Sequence, residues 1–238
     1  MKLTRFVHQW VNEKTNINIF TFPMIHIGTK EYYQNISNHI NELNLILEEG
    51  VPIQIDKEIG SYKRLAAKLG LISQQEGLII DQDMNRINID LSKEEMENEL
   101  KSLPQKELRK IKMAKYILPF ISKESICMHF VKSFVYSDET RIKMVDPENH
   151  YSYKHTNSIL DKFILNTRDK YIKENILSTL EVNWNREFRY DIGIMLGDEH
   201  MASIYKILNE NGFKWSVIDE ITAIEIERKD GHLTIAST

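Results

Sequence analysis

Two histidines at matching places in the chain are the side chains best suited to chemistry. His26 follows an apolar run over residues 18–25, and His200 follows a second apolar run over residues 191–196. A segment with helical periodicity comes after each histidine. Imidazole binds metal ions and transfers protons near neutral pH, so the matched positions predict two half-sites that face one pocket. The alternative is that both rings are partly buried structural groups that hydrogen-bond to the backbone.

Acidic residues follow the next apolar run in both copies of this arrangement. In the first copy, Glu49 continues the period-2 alternation of residues 45–47 and is predicted to face inward, while Glu48 faces outward. A buried carboxylate needs a metal, an arginine or a proton as its partner. Glu49 is therefore the first candidate acid, with a simple salt bridge as the alternative. Asp219 or Glu220 would be the mirror residue in the second copy.

One arginine could complete such a site. Arg168 lies in a segment, residues 157–180, whose apolar spacing predicts a long helix. An arginine on an otherwise apolar helix face can clamp a carboxylate or stabilise a developing oxyanion. The alternative is an ordinary solvated charge on the helix surface.

The elements that must position these residues alternate between strands and helices. Residues 4–10 and 17–25 are predicted to pair as strands, and residues 31–43 to form an amphipathic helix. Asp230-Gly231, between two alternating runs, predicts a hairpin. Because strands lie on both sides of a helical middle, we expect an α/β (α+β) fold with a mixed sheet. The chain is interpreted as one domain over residues 1–238, with a helical insertion at about 92–180.

Bulk composition excludes several classes of protein. The chain has 238 residues, of which 42% are hydrophobic and 28% charged, and a formal net charge of −4. This charge argues against a nucleic-acid partner or an anionic membrane surface, and no apolar run is long enough to span a bilayer. Cys127 is the only cysteine, which excludes an internal disulfide and favours a cytoplasmic protein. A homodimer stays an open alternative.

Four short segments resemble motifs of the TraB/GumN/Tiki family, which includes the pheromone-shutdown proteins of bacterial conjugation systems. Residues 24–28 resemble a first Gly-x-x-His segment, and residues 197–201 resemble a second one. Residues 47–51 resemble the family's Glu-Gly-Val strand end, and residues 167–169 its Glu-Arg-Asp helix motif. Together these segments, in this order, span most of the chain.

The resemblance implies a mixed central sheet flanked by helices, with two pseudo-symmetric strand–His–helix–strand halves around a helical middle. It further implies a pocket that holds four residues and a divalent metal ion. His26 and His200 would bind the metal, Glu49 would ligate it or act as base on its bound water, and Arg168 would steady a substrate carbonyl or carboxylate. The implied activity is that of a metal-dependent hydrolase, a metalloprotease-like enzyme acting on a peptide or small-molecule substrate.

Two departures from the family's motifs favour a second hypothesis. Pro23 stands at the glycine position of the first Gly-x-x-His segment, and Thr167 stands where the family has an acid. The alternative function is therefore a non-catalytic regulator that binds a peptide or small ligand on the same fold.

Overall fold

The computed structural model describes residues 2–49, 56–102 and 167–236, with isolated positions between 104 and 125. Its strands are β1 (Lys2–Val11), β2 (Ile17–Met24), β3 (Ile27–Gly28), β4 (Leu45–Glu48), β5 (Ile72–Ser73), β6 (Arg86–Asn88), β7 (Tyr190–Gly197), β8 (Lys214–Lys229) and β9 (His232–Ile235). Its helices are α1 (Lys30–Ile40), α2 (Asp56–Leu69), α3 (Gln74–Gly77), α4 (Lys93–Ser102), α5 (Asp169–Asn183) and α6 (Met201–Glu210).

Seven of the strands form one mixed sheet in the order β6-β4-β7-β2-β1-β8-β9, and β3 pairs with β5 separately. Strands β6, β4, β7 and β2 are parallel to one another, whereas β1 runs antiparallel to both β2 and β8. The predicted α/β class with a mixed, helix-flanked sheet is confirmed. The predicted pairing of residues 4–10 with residues 17–25 is confirmed as well.

Two crossovers of the sheet, those that follow β2 and β7, run in opposite directions. The chain passes from β2 through α1 to β4, beyond β7, and later from β7 through α6 to β8, beyond β2 and β1. Connections of one hand that run in opposite directions place their helices on opposite faces of a sheet. Alternate residues of β4 show this: Ile46 packs in the core that contains α1, whereas Leu45 and Leu47 pack in the core that contains α5 and α6.

Local sequence signals explain where several elements begin and end. Thr29 caps α1, because its hydroxyl accepts a hydrogen bond from the Tyr32 backbone N–H at 3.2 Å. Ser92 and Glu95 form the reciprocal capping box before α4. Asp230 and Gly231 both adopt positive φ, at 51° and 83°, as the tight turn between β8 and β9 requires.

One sequence-based prediction about the second copy is wrong. Strand β8 does not end at Asp219 and Glu220 but continues to Lys229, because β1 pairs with it over ten positions and carries it past this point. Asp219 lies opposite Val7 within the strand and binds His39 Nε2 at 2.8 Å. The second copy therefore has no counterpart of Glu49 at the end of its second strand.

Much of the predicted insertion lies outside the described residues. These residues include Cys127, most of the positions from 103 to 166 and, with them, the first part of the helix predicted over 157–180. The part of that helix that is described agrees with the prediction, since Ile172 and Ile176 are buried. None of the helices that the structure describes has the length and apolar character needed to cross a bilayer.

Candidate functional site

Four parallel strands end at the same edge of the sheet, and each is followed by a residue with a titratable side chain. Asp90 follows β6, Glu49 follows β4, Asp198 and His200 follow β7, and His26 follows β2. In open α/β sheets, ligands bind in the crevice outside the carboxyl ends of the strands, where connections leave in opposite directions. The neighbouring strands β7 and β2 meet this condition, so this edge is the candidate site.

Glu49 and Arg168 are brought together by β4 and the start of α5. Arg168 Nη2 donates to Glu49 Oε1, and its Nε donates to both carboxylate oxygens of Asp90 at 3.2 Å. The Asp90 side chain is fully buried, and Arg168 is 9% exposed. Burial would lower the pKa of Arg168, but the two carboxylates raise it above its ordinary value. Arg168 is therefore not a solvated surface charge, because it is buried and binds two carboxylates of the protein itself. Its contact with a substrate carbonyl or carboxylate stays a prediction.

The second oxygen of Glu49 is held by backbone. Gly197, the last residue of β7, donates its N–H to Glu49 Oε2 at 2.9 Å. A Cβ at position 197 would lie 3.2 Å from that same oxygen, so a side chain there would crowd the contact. Burial would raise the pKa of Glu49, but Arg168, His200 and this N–H together hold it below its ordinary value. Glu49 is consequently ionised at neutral pH.

His200 lies beside this cluster with one ring nitrogen engaged. Its Nδ1 is 2.5 Å from Asp169 Oδ1, and its Nε2 is 4.0 Å from Glu49 Oε1. An ionised carboxylate only accepts hydrogen bonds, so Nδ1 carries a proton, and the tautomer with that proton alone has Nε2 free to accept one. The His200 side chain is 3% exposed. A buried imidazole fixed at Nδ1 is the usual arrangement of a metal ligand or a general base.

Charges at the site are not balanced. Three carboxylates, those of Glu49, Asp90 and Asp169, surround one guanidinium and one imidazole. With His200 neutral, the group carries an excess of negative charge, which favours a bound cation or a protonated imidazole.

His26 occupies the same edge but a different environment. Its ring is exposed and stacks on Tyr62 of α2, with centroids 4.6 Å apart and planes at 30°. Within residues 2–49, 56–102 and 167–236, no hydrogen bond, ion pair or ring contact joins His26 to Glu49, Arg168 or His200. Across the same residues, no group of three or more His, Cys, Asp or Glu side chains is arranged to hold a metal ion.

Sequence reasoning did not select two residues of this cluster. Asp90 directly follows the short run Ile87 to Ile89, so the strand-end rule that found Glu49 could have found it as well. Asp169 enters the sequence-based prediction only as the third residue of the segment Thr167-Arg168-Asp169. Its distance of 31 positions from His200 gave no local signal of their contact.

Comparison with known proteins adds no assignment to this geometry. No family model, curated protein or solved structure matches this chain. The resemblance to the TraB/GumN/Tiki family therefore stays a prediction from the motifs, and the case for function rests on the side chains at the sheet edge.

Proposed function

We propose that the protein is a hydrolase that acts on peptides, with its reaction centre at His200 and Glu49. The observation that carries this proposal is the pairing of His200 Nδ1 with Asp169, which leaves Nε2 directed toward Glu49 at 4.0 Å. A histidine fixed in this way can accept a proton from water as the water attacks a carbonyl carbon, and the imidazolium can then give that proton to the leaving amine as the C–N bond breaks. Asp169 holds the reactive tautomer and stabilises the imidazolium that forms.

The remaining polar groups have roles that suit this reaction. Glu49 is a weak base because its pKa is lowered, but its negative charge stabilises a protonated His200 across the 4.0 Å gap. Arg168 uses Nε and Nη2 for Glu49 and Asp90, and its Nη1 makes no hydrogen bond to any described residue. A substrate carbonyl oxygen that reached Nη1 would have its developing charge stabilised.

The predicted divalent metal agrees with the charge of the site but not with its number of donors. The excess of carboxylates favours a cation, and His200 has the carboxylate partner that metal-ligating histidines usually have. Catalytic zinc sites, however, use three protein ligands. The described residues offer two, His200 Nε2 and Glu49, and both oxygens of Glu49 are already hydrogen-bonded. No step of the proposed reaction is therefore assigned to a metal.

Peptide cleavage by the purified full-length chain tests the proposal. A pool of fluorogenic peptides is incubated with the wild-type protein and with His200→Gln, each with and without a chelator and with the metal content measured. We expect the wild-type protein to cleave peptides and His200→Gln not to. If the chelator also abolishes cleavage by the wild-type protein, the metal-dependent form of the hypothesis would be supported again. Absence of turnover under all conditions, with or without added divalent metals, would contradict hydrolysis.

A non-catalytic regulator is the second candidate, and one observation favours it. Both oxygens of Glu49 and two nitrogens of Arg168 are occupied by contacts within the protein, so the cluster is complete without a reacting substrate. On this reading the sheet edge binds a peptide or small ligand and releases it unchanged. Saturable peptide binding without cleavage, lost in His200→Gln, would favour this candidate over the hydrolase.

A further inference from the structure

Arg5 is a buried charge that the proposed reaction does not use. It lies on β1, near the carboxyl edge of the neighbouring strand β2, and is 2% exposed. Its Nη2 is 2.9 Å from Asp198 Oδ2, and its Nη1 donates to the Thr4 carbonyl oxygen at 3.0 Å. Its Nε and Nη2 have no hydrogen-bond partner of good geometry within the described residues. A buried guanidinium with so few hydrogen bonds depends on its ion pair.

The partner of Arg5 belongs to the turn that carries His200. Residues Asp198 to His200 form a single 3₁₀ turn between β7 and α6. The Met201 backbone N–H bonds to the Asp198 carbonyl oxygen, and the Ser203 hydroxyl bonds to the His200 carbonyl oxygen. The turn is short enough that a shift of its first residue must move its last.

Two ion pairs therefore hold this turn from different elements. Asp198 is tied to Arg5 of β1, and His200 is tied to Asp169 of α5. Burial raises the pKa of Tyr32 of α1 and of Tyr205 of α6, and both hydroxyls also feel the charges of Arg5 and Asp198. The Arg5–Asp198 pair is thus enclosed between the helices of the two faces, at the same crevice as the candidate site.

We propose that Arg5 is a positioning residue for His200: through Asp198 it fixes the turn that holds the imidazole between Asp169 and Glu49. The expected effect of Arg5 on the reaction rate rests on the proposed function, whereas its expected effect on the position of the His200 imidazole does not. Removing Arg5 takes its buried charge away from the Asp198 carboxylate, so the turn is expected to shift that carboxylate toward water. Arg5→Lys keeps the charge but loses the fork of N–H groups and is expected to have a smaller effect.

The test follows the Nδ1–H proton of His200 by NMR in protein labelled with ¹⁵N-histidine, with His200→Gln to assign the signal. In Arg5→Met and Asp198→Asn, exchange of this proton with solvent should become faster by about tenfold or more, as local opening increases. The matched control is Arg189→Met, which removes an arginine that pairs with Asp191 at the start of the same strand, 2.8 Å away. The control should leave the His200 signal unchanged.

Two provisions keep the proposal open to refutation. If Arg5→Met does not fold, the double variant Arg5→Met/Asp198→Asn removes the buried charge and Arg5→Lys retains it, and either can be measured. An unchanged Nδ1–H exchange rate in the folded variants, or an equal increase in Arg189→Met, overturns the proposal. These outcomes are separate from activity, because an inactive protein can still show the effect on His200.

Discussion

His200 and Asp169 are joined by a short hydrogen bond, 2.5 Å from Nδ1 to Oδ1, although they come from different elements. Asp169 is the first residue of α5, and His200 ends the turn after β7. The bond fixes the orientation of a buried imidazole and leaves its second nitrogen facing Glu49. The proposed chemistry depends on this pairing.

Asp169→Asn should lower kcat for peptide cleavage by about 10²–10⁴-fold, the usual contribution of a positioned proton-transfer group. The amide can offer its N–H₂ to the ring and so favours the wrong tautomer of His200. The measurement is kcat with a fluorogenic peptide. Glu174→Gln, on an exposed position of the same helix, is the matched control and should retain full activity. Equal activity in Asp169→Asn and the control would show that the pair does not serve the reaction.

Arg168→Met should destabilise the fold strongly. It leaves the carboxylates of Glu49 and Asp90 close together and buried without a cation, a change that costs about 3–5 kcal/mol. The free energy of unfolding in urea measures this loss. Arg189→Met serves as the control, because the Arg189 side chain is 66% exposed and a surface ion pair contributes about 0–1 kcal/mol. Similar losses in the two variants would show that the buried cluster stabilises the fold no more than a surface ion pair does.

The lowered pKa of Glu49 predicts a pH-dependent contribution to stability. Because its folded-state pKa lies below the ordinary value of 4.5, ionised Glu49 stabilises the fold above that pH. The stabilisation is lost as the pH falls through the folded-state value. The difference in unfolding free energy between wild type and Glu49→Gln should therefore be greatest near neutral pH and shrink below pH 4.5. Unfolding curves at a series of pH values measure it, and a difference independent of pH would contradict the assignment.

His26→Ala should raise KM for the peptide and leave kcat nearly unchanged. His26 follows the end of β2, beside β7, and its ring stacks on Tyr62 of α2. From this position it can contact a bound substrate without joining the Glu49 and His200 cluster. The measurement is a comparison of both kinetic constants with those of His200→Ala. A loss of kcat as large as that of His200→Ala would instead support the prediction that both histidines hold one metal.

Local patterns in the sequence were enough to predict part of the site. The alternation of Leu45, Leu47 and Glu49 predicted the inward direction of the carboxylate, because side chains of a strand alternate between its faces. For Arg168, helical spacing alone favours an ordinary solvated charge, and its buried contacts with Glu49 and Asp90 join distant parts of the chain. Asp230-Gly231 predicted its hairpin because the turn requires positive φ.

The remaining features depend on contacts between distant parts of the chain. The predicted end of β8 was wrong because the length of this strand is set by its pairing with β1. The local pattern of residues 214–220 gives no signal of that pairing. The pairs Asp169–His200 and Arg5–Asp198 join residues that only the assembled sheet brings together. The matched spacing of His26 and His200 predicted two half-sites that face one pocket. The strands before them do end at the same edge of the sheet, but the spacing could not show which side chains would contact each other there.

Peptide turnover by His200→Gln, measured beside the wild-type protein on the same fluorogenic peptides, tests the central claim most directly. Gln is close to the imidazole in size but cannot accept a proton at neutral pH, so the variant should fold while kcat falls by about 10²-fold or more. A folded His200→Gln protein that cleaves peptides as fast as the wild type would contradict the account.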